Sequence, residues 1–319
     1  MRFFALHGSH ILANAVARSA GIELDDLEER EFPDGEHKSR PLVSVRNEDV
    51  FVLHSLHGND GRTAADRLLR LLFFIGTCRD NGASRVTAIV PYLAFMRKEQ
   101  QTKARDPVSS RYVAELFEAV GTHTIVTLEV HNIAAFQNAF RCRNVHLDMR
   151  AAFASRIRAL AGSRPIVLLS PDSGGMKRTH LMAEAIQKGG EAPVALAIME
   201  KHRSEGSVSG GLFAGAVEGA AVFILDDLIA TGGTIVRAAE ACRARGAAAV
   251  HAVATHGLFS SAEQLLSPAI DRIIVTDSIS AFPPSASKLE VISCAPLLGG
   301  AIQRLHGGGS IHRLLHPQR

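Results

Sequence analysis

Short apolar runs recur along the chain, and between them lie stretches in which apolar residues have helical spacing. The runs are rich in valine, isoleucine and leucine without strict alternation, which is typical of strands buried on both faces of a parallel sheet. They predict strands at Phe3–Leu6, Asp49–Leu53, Arg85–Val90, Thr124–Leu128, Ile166–Ser170, Val194–Met199, Ala221–Leu225, Ala249–Thr255 and Arg272–Thr276. The intervening stretches predict helices at Thr63–Asn81, Ser109–Val120, Met176–Lys188, Ile235–Arg245 and Ser261–Leu266.

This repeated alternation predicts an α/β fold of open, mainly parallel sheets flanked by helices and joined by right-handed crossovers. The length of 319 residues suits two domains. We place the boundary near Asp148–Ala151, which divides the chain into an N-terminal domain of residues 1–148 and a C-terminal domain of residues 149–287. The tail, residues 288–319, contains a predicted strand at Leu289–Cys294 and a helix at Ala295–His306, and we expect it to complete the N-terminal sheet.

Composition excludes several classes of protein. Hydrophobic residues make up 46% of the chain and charged residues 21%, which excludes general disorder. The net charge of +3 indicates no nucleic-acid partner, because such proteins concentrate basic residues on one face. The N-terminus does not resemble a signal peptide, and we see no apolar stretch of membrane-spanning length. We therefore expect a cytoplasmic protein that binds no membrane.

The most informative loop follows the strand Val222–Leu225 and precedes a helix. Its glycines allow close approach of the backbone to a ligand, and the N–H groups of a helix start bind anions. Its paired carboxylates would repel a phosphate alone, but they accept hydrogen bonds from ribose hydroxyls, directly or through a divalent cation. We therefore predict a ribose 5-phosphate site at Asp226, Asp227, Ala230, Thr231, Gly232, Gly233 and Thr234. The alternative interpretation is a plain helix N-cap with a tight turn.

A second loop, Ser170–Gly175, also lies between a strand and a helix, and the cations Lys177 and Arg178 follow it. Ligands in open α/β sheets bind beyond the carboxyl ends of strands, where this loop lies. Asp172 is its acidic residue, suited to a metal or a ribose hydroxyl, although Asp and Gly are common in any turn.

These loops occur together with further segments in ribose-phosphate pyrophosphokinases, and the chain resembles that family from Phe32 to its final helix. Phe32–Glu36 resembles the family's F-x-D-G-E segment, and Pro91–Arg97 resembles its P-Y-x-x-Y-x-R stretch. The remaining similar segments are Arg105–Ser109 (R-x-P-[IV]-S), Glu129–His131 (D-L-H), Ser170–Arg178 (S-P-D-x-G-G-x-K-R), Lys201–Arg203 (K-x-R) and Ala254–Gly257 (A-T-H-G).

The resemblance implies two domains of type I phosphoribosyltransferase-like fold and transfer of the diphosphate of ATP to the 1-hydroxyl of ribose 5-phosphate. It implies catalytic roles for Lys201 and Arg203, for which the alternative is a solvated basic loop, and Mg²⁺ held with the help of His131 and Asp172. The ATP site that it implies comprises Phe32, Asp34, Glu36, Arg97, Lys98, Glu99 and His131. It also implies a homo-oligomer, a dimer or a hexamer built from dimers.

The chain departs from the family pattern near both substrates. Ala230 stands where the family often has an acidic residue, and Lys98–Gln101 replaces the pattern Q-D-[RK]-K. Two alternative functions therefore stay open. One is a weakly active or regulatory homologue that binds the same ligands and associates with an active synthetase. The other is a phosphoribosyltransferase, which would share the loop at 226–234 but would not explain the segments at Phe32–Glu36 and Lys201–Arg203.

Overall fold

The computed structural model describes residues 1–58, 61–188, 190, 193–200, 203–204, 207–208, 212–260, 267–279 and 287–316. The chain forms two compact units. The first consists of Met1–Asp148, Asp277–Ser280 and Ser293–Arg319, and the second consists of Met149–Thr276 and Ala281–Ile292.

The first unit contains a five-stranded parallel sheet in the order β1-β4-β5-β6-β7, together with a separate antiparallel hairpin of β2 and β3. Its strands are β1 (Arg2–Ala5), β2 (Leu27–Glu31), β3 (His37–Pro41), β4 (Asp49–Leu53), β5 (Arg85–Val90), β6 (Thr124–Leu128) and β7 (Arg143–Leu147). Its helices are α1 (His10–Ala20), α2 (Ala64–Asp80), α3 (Ser109–Ala119), α4 (Ile133–Ala139), α8 (Ala295–Gly307) and α9 (Ile311–Leu315).

The second unit contains a seven-stranded sheet in the order β12-β9-β8-β13-β14-β15-β16, in which only the β12–β9 pair is antiparallel. Its strands are β8 (Ile166–Ser170), β9 (Val194–Glu200), β12 (Leu212–Ala214), β13 (Ala221–Ile229), β14 (Ala249–Gly257), β15 (Arg272–Thr276) and β16 (Leu289–Ile292), and β10 (Arg203–Ser204) pairs with β11 (Ser207–Val208). Its helices are α5 (Arg150–Ala161), α6 (Met176–Lys188) and α7 (Gly233–Arg243), and a single 3₁₀ turn occupies Ser173–Gly175.

This architecture confirms the predicted α/β fold class. Strands β4, β6 and β8 are buried at every position, as their uninterrupted apolar sequences require. Helix α2 begins with a capping box, in which the Thr63 hydroxyl accepts from the Asp66 N–H and the Asp66 carboxylate accepts from the Thr63 N–H. Within the described residues no helix is both long enough and apolar enough to span a bilayer.

The tail differs from the expectation that it would complete the first sheet. Strand β16 extends the second sheet instead, because Leu289–Ile292 continues the parallel register of β15. Helices α8 and α9 return to the first unit. There α8 packs closely on α1, and Nε2 of Gln303 donates to the Ala20 carbonyl at 2.9 Å. The predicted helix Ser261–Leu266 lies outside the described residues.

Candidate active site

The loop after β13 is shorter than its sequence suggested, because the strand continues to Ile229. Asp226 and Asp227 therefore lie within the strand, and Asp226 is in register with Ala254 on β14. The side chain of Asp227 is buried, and Asp226 is half-buried. This pairing fixes the backbone that carries both carboxylates.

The two carboxylates share one cation, the guanidinium of Arg178 on the neighbouring helix α6. Its Nη2 lies 3.3 Å from Oδ1 of Asp227, and its Nη1 lies 3.8 Å from Oδ1 of Asp226. Burial, and then the adjacent Asp227 carboxyl, raise the pKa of Asp226 to about 7, which Arg178 only partly opposes. A carboxyl group with a raised pKa can hydrogen-bond to a sugar hydroxyl or release its proton when a cation binds beside it.

The turn from β13 into α7 leaves the start of that helix without a side-chain cap. Gly232, the N-cap residue, has φ of +84°, a left-handed conformation that glycine adopts without steric cost. The first-turn N–H groups therefore have no side-chain acceptor from the cap residue. Thr231 is exposed, and Thr234 accepts from Nη2 of Arg237 at 3.4 Å. First-turn N–H groups without a side-chain cap, beside hydroxyls, suit a phosphate group.

The loop Ser170–Gly175 lies at the carboxyl end of β8, which neighbours β13 in the sheet. Oδ1 of Asp172 accepts from the Gly175 N–H at 2.9 Å, and the Ser170 hydroxyl donates to the Asp172 carbonyl at 2.7 Å. Asp172 is nevertheless exposed. Because Arg178 follows this loop and reaches Asp226 and Asp227, one side chain connects the loop to the carboxylates of β13.

Phe32, Asp34 and Glu36 lie in the tight turn between β2 and β3 in the first unit. The Phe32 N–H donates to the Glu36 carbonyl at 2.8 Å, and Oδ1 of Asp34 accepts from the Glu36 N–H at 3.1 Å. The guanidinium carbon of Arg30 lies 5.1 Å from the centre of the Phe32 ring. Asp34 and Glu36 are exposed. The turn therefore presents an aromatic ring and two carboxylates to its surroundings.

The remaining residues predicted for ATP follow β5 and β6. Arg97 and His131 are exposed, whereas the Lys98 ammonium is engaged with the Asp106 carboxylate. Oε1 of Glu99 accepts from Nδ2 of Asn132 at 2.8 Å, which brings Glu99 beside the segment that carries His131.

Sequence reasoning assigned no role to Arg178, Asp106 and Asn132. Arg178 was noted as a cation after the second loop and as the last residue of the family segment Ser170–Arg178. Asp106 lay at an unspecified position of the family segment Arg105–Ser109, and Asn132 lay in no motif. Lys201 lies outside the described residues, and for Arg203 the structure describes only its backbone pairing in β10. Among the described residues, no group of three or more His, Cys, Asp or Glu side chains forms a metal cage.

Comparison with known proteins identifies the family. Residues 1–121 match the model of the N-terminal domain of ribose phosphate pyrophosphokinase, and residues 209–316 match that of the phosphoribosyl synthetase-associated domain. A ribose-phosphate pyrophosphokinase of Caldanaerobacter subterraneus subsp. tengcongensis is 34% identical, over 98% of this chain and 97% of the relative. The chain belongs to the ribose-phosphate pyrophosphokinase family.

Other members of the family agree with this assignment along the whole chain. A ribose-phosphate pyrophosphokinase of Aquifex aeolicus is 31% identical, over 95% of both chains. The crystal structure of phosphoribosylpyrophosphate synthetase from Mycobacterium smegmatis superposes with a TM-score of 0.87 at 30% identity, covering 97% of this chain and 99% of that one. The predicted fold of a ribose-phosphate pyrophosphokinase is thereby confirmed for both units.

Proposed function

We propose that this ribose-phosphate pyrophosphokinase homologue transfers the diphosphate of ATP to the 1-hydroxyl of ribose 5-phosphate, which yields phosphoribosyl diphosphate and AMP. The observation that carries the proposal is the pair Asp226 and Asp227, held by Arg178 directly before the uncapped start of α7. Carboxylates bind the ribose hydroxyls, and the N–H groups and hydroxyls of Thr231–Thr234 bind the 5-phosphate. This combination fits a sugar phosphate better than a phosphate alone.

The ATP side of the reaction belongs to residues of the first unit. Phe32 stacks on or packs against the base, Asp34 and Glu36 accept from hydroxyl or amino groups, and Arg97 binds phosphate oxygens. Lys201 and Arg203 neutralise the charge of the transferred diphosphate, because phosphoryl transfer depends mainly on positioning and charge compensation. Their assignment rests on the resemblance of Lys201–Arg203 to the family's K-x-R segment.

The donor set of the chain fits Mg²⁺. Mg²⁺ prefers oxygen ligands and retains waters, so a few carboxylates and substrate phosphates are sufficient and no all-protein cage is required. Exposed Asp172 and the proton-exchanging Asp226 are suitable carboxylates, and His131 acts through water or ATP because imidazole is a softer ligand. The bound ion would neutralise the diphosphate charge. We also propose a cytoplasmic homo-oligomer, a dimer or a hexamer built from dimers, without nucleic-acid or membrane partners.

A regulatory homologue is the second candidate, and a specific observation favours it. Ala230 removes one carboxylate from the sugar loop, and Lys98 is occupied by Asp106 instead of being open to a nucleotide. Such a protein would bind both substrates with little turnover.

The experiment measures AMP in the presence of ATP, Mg²⁺ and ribose 5-phosphate. Sugar-dependent AMP supports the proposal, and its absence at all metal and phosphate concentrations refutes it. Lys201→Ala is expected to abolish turnover while ATP binding stays within about threefold of that of the unmodified chain, because charge compensation acts mainly in the transition state. A proportional loss of binding and turnover would contradict the catalytic role of Lys201.

A further inference from the structure

The segment Lys98–Asp106 is closed into a ring by one carboxylate. Asp106 accepts from the Lys98 ammonium, from the hydroxyl of Thr102 at 2.8 Å, and from the N–H groups of Thr102 and Lys103 at 3.2 and 3.0 Å. These bonds, that of Lys98 foremost, hold the pKa of Asp106 well below its usual range. Asp106 therefore stays ionised throughout the physiological range.

The same carboxylate is paired with Lys98, the cation that follows Arg97. Nζ of Lys98 donates to both Asp106 and, at 2.8 Å, the Thr102 hydroxyl, so two of its three protons are directed into the loop. At this position the family pattern has glutamine, which carries no charge. The charges of Lys98 and Asp106 thus neutralise each other, and their ion pair holds the loop closed.

A second side-chain contact, a hydrogen bond, connects this loop to the segment that contains His131. Asn132 caps α4, since its Oδ1 accepts from the N–H groups of Ala134 and Ala135, and its Nδ2 donates to Oε1 of Glu99 at 2.8 Å. The other carboxylate oxygen of Glu99 is buried and has no hydrogen-bond partner among the described residues. Asn132 thereby fixes the carboxylate of Glu99 beside the segment that carries His131.

We infer that Asp106 and Asn132 are positioning residues for the nucleotide. They hold the backbone between Arg97 and His131 in the binding geometry before ATP arrives, which lowers the entropy lost on binding. The inference rests on the proposed function only in taking ATP as the ligand. Both residues act through Lys98 and Glu99 and not by touching the nucleotide.

The experiment measures ATP affinity by calorimetry without sugar, alongside KM and kcat, for Asp106→Asn, Lys98→Gln, the double variant and Asn132→Ser. Asp106→Asn leaves the Lys98 charge uncompensated, and Asn132→Ser keeps a helix cap but loses the donor to Glu99. The expected result is about a tenfold loss of ATP affinity for Asp106→Asn and about a threefold loss for Asn132→Ser. The KM for ribose 5-phosphate and kcat at saturating ATP are expected to stay within about twofold.

The double variant and a matched control decide the interpretation. Lys98→Gln with Asp106→Asn replaces the ion pair by two amides, so ATP affinity should return to within about threefold of that of the unmodified chain. Glu115→Gln, which removes the exposed Arg111–Glu115 pair on α3, should change nothing.

Three outcomes would overturn the inference. The first is unchanged or tighter ATP binding in Asp106→Asn, which would make Lys98 a direct ligand. The second is additive losses in the double variant. The third is parallel losses of kcat and both KM values with lowered thermal stability. If the unmodified chain binds ATP but forms no AMP, the proposed reaction is refuted. The calorimetric comparison of ATP affinities then still tests whether Asp106 and Asn132 position the nucleotide.

Discussion

Gly175→Ala is expected to disrupt the loop that carries Asp172. A Cβ at position 175 would lie 2.5 Å from Oγ of Ser170, nearly an ångström inside the 3.4 Å at which ordinary contact begins. Ser170 is fully buried, so its hydroxyl can avoid the clash only by leaving the Asp172 carbonyl, to which it donates at 2.7 Å. Overpacking of this kind costs about 1–3 kcal/mol, and the lost hydrogen bond accounts for about 1 kcal/mol of that range.

A double-variant cycle separates the steric cost of Gly175→Ala from a general effect on the loop. Ser170→Ala alone is expected to cost about 1 kcal/mol, because it leaves the Asp172 carbonyl without its donor. Once the hydroxyl is gone, Gly175→Ala should add little, so the double variant should be no less stable than Ser170→Ala. Gly174→Ala is the matched control, since its Cβ would meet only Oδ1 of Asp172, at 3.3 Å, on an exposed surface.

The assay is urea unfolding, with ribose 5-phosphate affinity measured on the same samples. Gly175→Ala should lower both the free energy of unfolding and the sugar affinity, whereas Gly174→Ala should leave stability within about 0.5 kcal/mol. Additive losses for Ser170→Ala and Gly175→Ala would refute the reasoning, because the steric conflict would then lie elsewhere.

Two further predictions concern pH. Because the pKa of Asp226 is raised to about 7 from its ordinary 3.8, the folded state holds a proton that the unfolded chain releases, and stability from this group is lost as pH rises from about 4 to 7. The free energy of unfolding of Asp226→Asn, measured in urea relative to that of the unmodified chain, should therefore increase as pH rises from 5 to 8. A difference that stays constant with pH would contradict the raised pKa. Burial, with Arg67 next in effect, holds the pKa of His54 well below 6.5, so stability is lost as pH falls through about 6.5. His54→Gln should reduce the slope of unfolding free energy against pH, measured at pH 7, 6 and 5, by up to about 1.4 kcal/mol per pH unit. An unchanged slope would exclude His54 as the source of this pH dependence.

The sequence alone located the buried strands with little error. Asp49–Leu53, Thr124–Leu128 and Ile166–Ser170 were predicted at their observed bounds, because strands buried on both faces can contain almost only apolar residues. The hairpin of β2 and β3 was missed, since its sequences LEERE and HKSRP are polar and contain no alternation of apolar and polar residues. The family segments were likewise visible in the sequence, because they are contiguous along the chain.

What joins those segments was decided only by the tertiary structure. Arg178 lies some fifty positions before Asp226, and only the adjacency of β8 and β13 brings its guanidinium to both carboxylates. Asn132 reaches Glu99 because β5 and β6 are neighbours, and β16 joins the second sheet through a register that no local pattern encodes. Residue types and short-range periodicity therefore predicted the elements and the candidate ligands. The partners of those ligands depend on strand order, which arises from packing between residues distant in sequence.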